Sequence, residues 1–113
     1  MRIVDTTISM DELRRMAADM FGNLVKAVAD VDRERMAVDA ELHADLEALL
    51  LHDGSKQGSL WGINLYPEKA GEDFVEFDAM INMRPSQGNR SRGVEDEKTR
   101  ARIFAMIGKR VIE

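Results

Sequence analysis

Apolar and polar positions alternate with a period of two over residues 60–66 and again over 74–84. In the first run Trp61, Ile63 and Leu65 share one side and Gly62, Asn64 and Tyr66 the other. In the second, Val75, Phe77, Ala79, Ile81 and Met83 stand against Phe74, Glu76, Asp78, Met80 and Asn82. Alternation of this kind predicts two half-buried strands, because successive side chains of a strand point to opposite faces. The loop at 67–73, with Pro67 and Gly71, joins them into an antiparallel hairpin. Its expected polar face carries Asn64, Tyr66, Glu76, Asp78 and Asn82.

Three segments follow a helical period instead. Leu13, Met16, Ala17 and Met20 predict a helix over about 9–21, and Ser9 with Glu12 three residues on forms a capping-box pattern. Leu46, Leu49 and Leu50 make an apolar stripe over 44–52, with Gly54 suited to end the helix. Ile103, Phe104, Ile107 and Val111 predict a last helix over 95–112, whose opening acids Glu95, Asp96 and Glu97 complement the helix dipole. Residues 24–42 admit two readings. Leu24, Val28, Val31, Val38 and Leu42 recur at helical spacings, whereas the valines of 24–31, the polar turn at 32–35 and the alternation from Met36 make a β-hairpin. The expected fold is therefore α+β in one domain over 1–113: a four-stranded, mostly antiparallel sheet (24–31, 36–42, 60–66, 74–84) with three helices over one face. An N-terminal α-hairpin packed on a C-terminal β-hairpin is the alternative.

Polar chemistry concentrates between and after these elements. If 36–42 continues as a strand, Glu41, His43 and Asp45 project from one face, an arrangement able to hold a divalent metal or a general base. If a helix begins there, the trio separates and Asp45 simply favours the helix N-terminus. The loop at 55–58 contains Lys56 and Gln57 but lacks the spacing of a phosphate-cradling GxxxxGK[ST] loop. The loop at 84–92 gathers Arg84, Ser86, Asn89, Arg90, Ser91 and Arg92, where arginine forks and amide side chains supply directed donors for an anion. A surface loop fastened by its own Ser and Asn side chains explains the same residues without a ligand.

Charge narrows the partners. The 113 residues carry a formal charge of −5, unevenly spread: 12 acids against 6 bases in 1–53, and 9 against 10 in 54–113. An acidic chain has no general attraction for RNA or anionic membranes, so contact with phosphate has to be local. Cysteine is absent, which removes disulfides and thiolate chemistry and fits a reducing, cytoplasmic setting. No apolar run approaches the roughly 18 residues of a membrane span. No cofactor is implied.

Several motifs stand in a fixed order: Gly54-Ser-Lys-Gln57, Trp61-Gly-Ile-Asn64-Leu-Tyr66-Pro67, Ile81-Asn82-Met83-Arg84-Pro85 and Asn89-Arg-Ser91. Together with Glu41-Leu-His43-Ala-Asp45 they resemble a small prokaryotic family classed as a domain of unknown function. The resemblance runs from about residue 24 into the last helix. It implies a stand-alone α+β domain with strands in 24–42, and brings no activity, substrate or catalytic residue.

Two functional expectations result. In the first, the loops at 55–58 and 84–92 converge beside Asn64 and Asn82, and Lys56, Gln57, Arg84, Ser86, Asn89, Arg90 and Ser91 bind a small anion, a peptide or protein partner, or an RNA backbone. In the second, a small hydrolase or nuclease uses His43 with Glu41 or Asp45, while Arg84 stabilises developing negative charge. A structural or oligomer-forming role stands beside both.

Overall fold

The computed structural model describes residues 1–113. Its strands are β1 (Arg2–Val4), β2 (Ile8–Ser9), β3 (Val25–Asp30), β4 (Arg35–Val38), β5 (Leu60–Leu65), β6 (Val75–Glu76) and β7 (Val111–Ile112), and its helices α1 (Met10–Asp19), α2 (His43–His52) and α3 (Glu97–Arg110). The class is α+β, as the periodicities predict, but the main sheet has five strands rather than four. Its order is β1-β4-β3-β5-β6, with every neighbouring pair antiparallel. The added strand is β1, which pairs with β4 from Arg2↔Val38 to Val4↔Met36. A second, parallel pair joins β2 to β7, so the last expected helical residues extend beside the chain's start instead.

Residues 24–42 form the β-hairpin and not the helical arm. Asp30 makes the turn: its Oδ1 accepts from the backbone N–H of Asp32 at 3.1 Å and of Arg33 at 3.0 Å. Such local side-chain bonds favour turns over helix. β4 stops at Val38, four residues short of the expected end, and Asp39 takes a positive φ of 74°.

Helices cover both faces of the sheet, which corrects the expectation of one covered face. On the first face, Ala27, Met36, Val38, Trp61, Ile63 and Leu65 join a core with Leu13 of α1 and Ile103, Met106 and Ile107 of α3. On the second, Leu46 and Leu50 of α2 pack on Val28, Ala37 and Leu60. All six residues of β5 are buried as a result. On this side β3 and β4 contribute only Val28 and Ala37 to the core, between Lys26, Asp30 and Arg35, so the alternation along them gave little sign of a second covered face.

The run at 74–84 departs most from expectation. Only Val75 and Glu76 pair as a strand; a 3₁₀ turn occupies Met80–Asn82. Val75 belongs to the first core, whereas Ile81 packs against the second, so the chain crosses the sheet edge between them. Gly62 permits that crossing. A Cβ there would overlap Ala79 Cβ and press on His43 Cδ2 and Ile81 Cγ1, each at 3.2 Å. Asn82 then replaces the missing strand: its Oδ1 accepts from Gly62 N–H at 2.8 Å and its Nδ2 donates to the Gly62 carbonyl at 2.9 Å. One side-chain amide thus satisfies the backbone groups that a longer β6 would have paired.

Candidate functional site

Helix α2 covers only part of the second face. Beyond its first residue, a row of side chains crosses three strands: Lys26 of β3, paired with Asn64 of β5, paired with Glu76 of β6. This row floors a cleft of about 540 Å³. Leu42, His43 and Ala44 at the start of α2 form one wall, and Asp78, Ala79 and Met80 form another. No helix of the chain is long and apolar enough to cross a membrane.

His43 is the first residue of α2, and its Nε2 lies 2.9 Å from the Ile63 carbonyl oxygen. A carbonyl only accepts, so the neutral ring carries its proton on Nε2 and Nδ1 is left as an acceptor. Burial pushes the His43 pKa below its usual value, against the opposing pull of the Ile63 carbonyl. The ring is therefore set up as neutral at physiological pH.

Asn64 is 6 % exposed. Its Nδ2 donates to Glu76 Oε1 at 2.9 Å and to the Asp78 carbonyl at 3.3 Å. Its Oδ1 is buried and takes no donor. An unpaired buried carbonyl costs about 1–3 kcal/mol; here the Asn64 amide lies against the His43 ring and opposes the fall in its pKa. Tyr66 also donates to Glu76 Oε1, at 2.9 Å, so that oxygen is doubly held while Oε2 takes no protein donor. Burial, then the Glu76 carboxylate, raise the Tyr66 pKa and keep the phenol protonated. Asp78 is paired with Arg92 at 2.6 Å. Lys26 makes no ion pair; its ammonium lies 4.8 Å from the Phe21 ring centroid. The cleft thus offers an unused carboxylate oxygen at one end and an uncompensated cation at the other.

The residues expected to form a loop site lie mostly elsewhere. The two loops do meet, through Arg84, which donates from Nη1 to the Gln57 carbonyl at 2.9 Å, from Nη2 to the Leu60 carbonyl and from Nε to the Ile81 carbonyl at 2.9 Å. Its guanidinium also stacks 4.5 Å over Trp61. These contacts commit the fork to the chain's own backbone. Asn82 and Asn89 are buried and equally committed: Asn89 Nδ2 donates to the carbonyls of Asn82, Ser91 and Gly93, and its Oδ1 accepts from Glu95 N–H. The backbone amides of Arg90 and Ser91 donate to Glu95 Oε2, at 2.6 and 2.8 Å, and hold that carboxyl below the usual range. Glu95 fills the place where an external anion would sit.

Lys56, Gln57, Ser86 and the Arg90 side chain are exposed. Lys56 borders a separate polar cavity of about 210 Å³ with Asp30, Asp32 and Ser59. Glu41 and Asp45 are exposed on either side of His43, because α2 starts at His43 and no strand carries the three onto one face. No group of three or more His, Asp or Glu side chains is arranged to hold a metal.

Of the expected residues, the cleft therefore brings together Asn64 and His43, which the sequence had placed in different sites. Lys26, Tyr66, Glu76 and Asp78 complete it and were absent from the expected sets. Tyr66, Glu76 and Asp78 were legible as polar-face residues, and the pairing of β3 with β5 supplies Lys26. No curated protein and no solved structure matches the chain. The family model described as "Protein of unknown function (DUF5674)" matches residues 2–110, and the chain belongs to that family.

Proposed function

We propose that this chain is a binding domain that holds a small polar molecule in the cleft between the start of α2 and the segment after β6. The observation that carries this reading is a concave site of about 540 Å³ whose floor sets Lys26, without a counter-ion, and Glu76, with one oxygen unused, on either side of Asn64. A concave site of ligand size with unused charged groups at both ends suits a polar molecule from outside the chain. His43, held by the Ile63 carbonyl, lines one wall of the site. The imidazole is anchored by a backbone carbonyl and not by a carboxylate, and burial outweighs the pull of that carbonyl, so the ring is less basic than a free imidazole.

The test is a ligand screen on the full chain, following backbone amide shifts with inorganic anions, amino acids, short peptides, sugars, nucleosides and short RNA. Binding in the cleft shifts residues 24–26, 43–44, 64–66 and 76–81. Ala44→Phe fills the cleft from an exposed helical position and should abolish those shifts without unfolding the chain. Shifts confined to 55–58 and 84–92 would move the site to the loops. Responses indifferent to Ala44→Phe would remove the cleft from consideration.

A further inference from the structure

Helix α2 starts without a side-chain cap. Leu42 at its N-cap position supplies no acceptor, and the chain before it, residues 39–42, is irregular, with Asp39 at a positive φ of 74°. What fastens this end of the helix to the sheet is the His43 ring. Its Nε2 lies 2.9 Å from the Ile63 carbonyl oxygen. Its Cδ2 rests over Gly62, 3.2 Å from where a Cβ would stand, beside Ala79 and Ile81. One turn later the helix is held by packing instead: Leu46 and Leu50 are fully buried against Val28, Ala37 and Leu60.

This seat suits a neutral ring better than a charged one. It is half-buried, it lies at the positive end of the α2 dipole, and Lys26 of β3 opposes a second cation. The Ile63 carbonyl, the Asn64 amide and the Asp78 carboxylate pull the other way, but Asp78 is already paired with Arg92 at 2.6 Å. Glu76 is held by Asn64 and Tyr66. Met80–Asn82 brings no charge, and Arg35 of β4 meets Asp53 at the far end of the helix. On the chain around His43 itself, Glu41 and Asp45 are exposed and Glu47 acts on Arg84.

We propose that His43 is an acid-released pin: a second proton on its ring weakens the seat over Gly62 and opens the first turn of α2, while the helix from Leu46 onward stays in place. The irregular residues 39–42 supply the slack for that movement. Protonation favours the open form by the ratio of the ring's acid dissociation constants, seated over open. Leu42, His43 and Ala44 form one wall of the cleft, so release opens that wall. The consequence for a ligand rests on the cleft reading; the pin does not.

Hydrogen exchange on the full chain without ligand, from pH 7.5 to 5 and corrected for the intrinsic pH dependence of exchange, tests the pin. The Asp45 N–H, which donates to the Leu42 carbonyl at 3.2 Å, and the Glu47 N–H one turn into the helix report the seated state. Their protection should fall several-fold on acidification and should not respond to low urea, because a local opening exposes little surface. His43→Gln, whose amide can still donate to the Ile63 carbonyl, should remove that pH dependence. Protection constant with pH, or a fall that survives His43→Gln, would overturn the pin. So would first-turn amides that match those of β3 and β5 in protection and urea response, since the turn would then open only when the whole chain unfolds. These readouts need no ligand, so a failed ligand screen removes the cleft reading and leaves the pin standing.

Discussion

At Gly62 the missing Cβ is a packing requirement and not a matter of backbone freedom. The position is mid-strand, and a Cβ would run into Ala79, a short side chain fixed to its own backbone that cannot swing aside. Gly62→Ala is therefore expected to destabilise the fold by about 1–3 kcal/mol, the usual range for overpacking a core. Urea denaturation measures it; an unchanged midpoint would mean that Ala79 is free to move. Asn82 shows the same economy, since one amide satisfies both Gly62 backbone groups. From sequence alone Asn82 and Asn89 are candidate ligand donors, because amides in a loop suit either role. Burial decided between them, and burial depends on residues far along the chain.

Helix α1 was legible at its start because its signals are local. Ser9 accepts from Glu12 N–H at 3.1 Å and Glu12 Oε2 accepts from Ser9 N–H at 2.9 Å, the reciprocal box that the spacing predicts. These bonds, with Arg2, lower the Glu12 pKa to about 2. Ser9→Ala should cost about 1 kcal/mol, read as a lower thermal midpoint with unchanged helical content at low temperature. No loss would show that the β2–β7 pair holds α1 in place without the cap. Strand β6 was illegible for the opposite reason. Alternation continues through 84, but whether a strand pairs depends on its neighbour, and here the neighbour's free edge is taken by the Asn82 side chain.

For the molecule as a whole, His43 and the carboxylates set the response to acid. The folded-state pKa of His43 lies below the unfolded value of about 6.5. The unfolded chain therefore binds more protons between the two values, and stability falls as pH drops through that window. Glu12, Asp32, Glu34, Asp53, Glu95 and Asp96 have lowered pKa values, so their contribution is present above about 4–4.5 and is lost below it. Two stages of acid destabilisation should appear in thermal midpoints measured from pH 7.5 to 3. His43→Gln should flatten the upper stage and spare the lower. A wild-type midpoint constant from pH 7 down to 5 would contradict the His43 assignment.

Residue order alone settled the α+β class, the three helices, the antiparallel pairing of two-residue periodic segments and the polar character of one strand face. Those depend on period, caps and turns, which act within a few residues. Tertiary structure decided which polar residues are occupied and which are free. Arg84, Asn82 and Asn89 meet backbone carbonyls brought from elsewhere in the chain, while Asn64 Oδ1 meets none. The cleft exists because α2 begins at His43 and stops short of the row that β3, β5 and β6 align, and the register between distant strands is written in no single stretch of sequence.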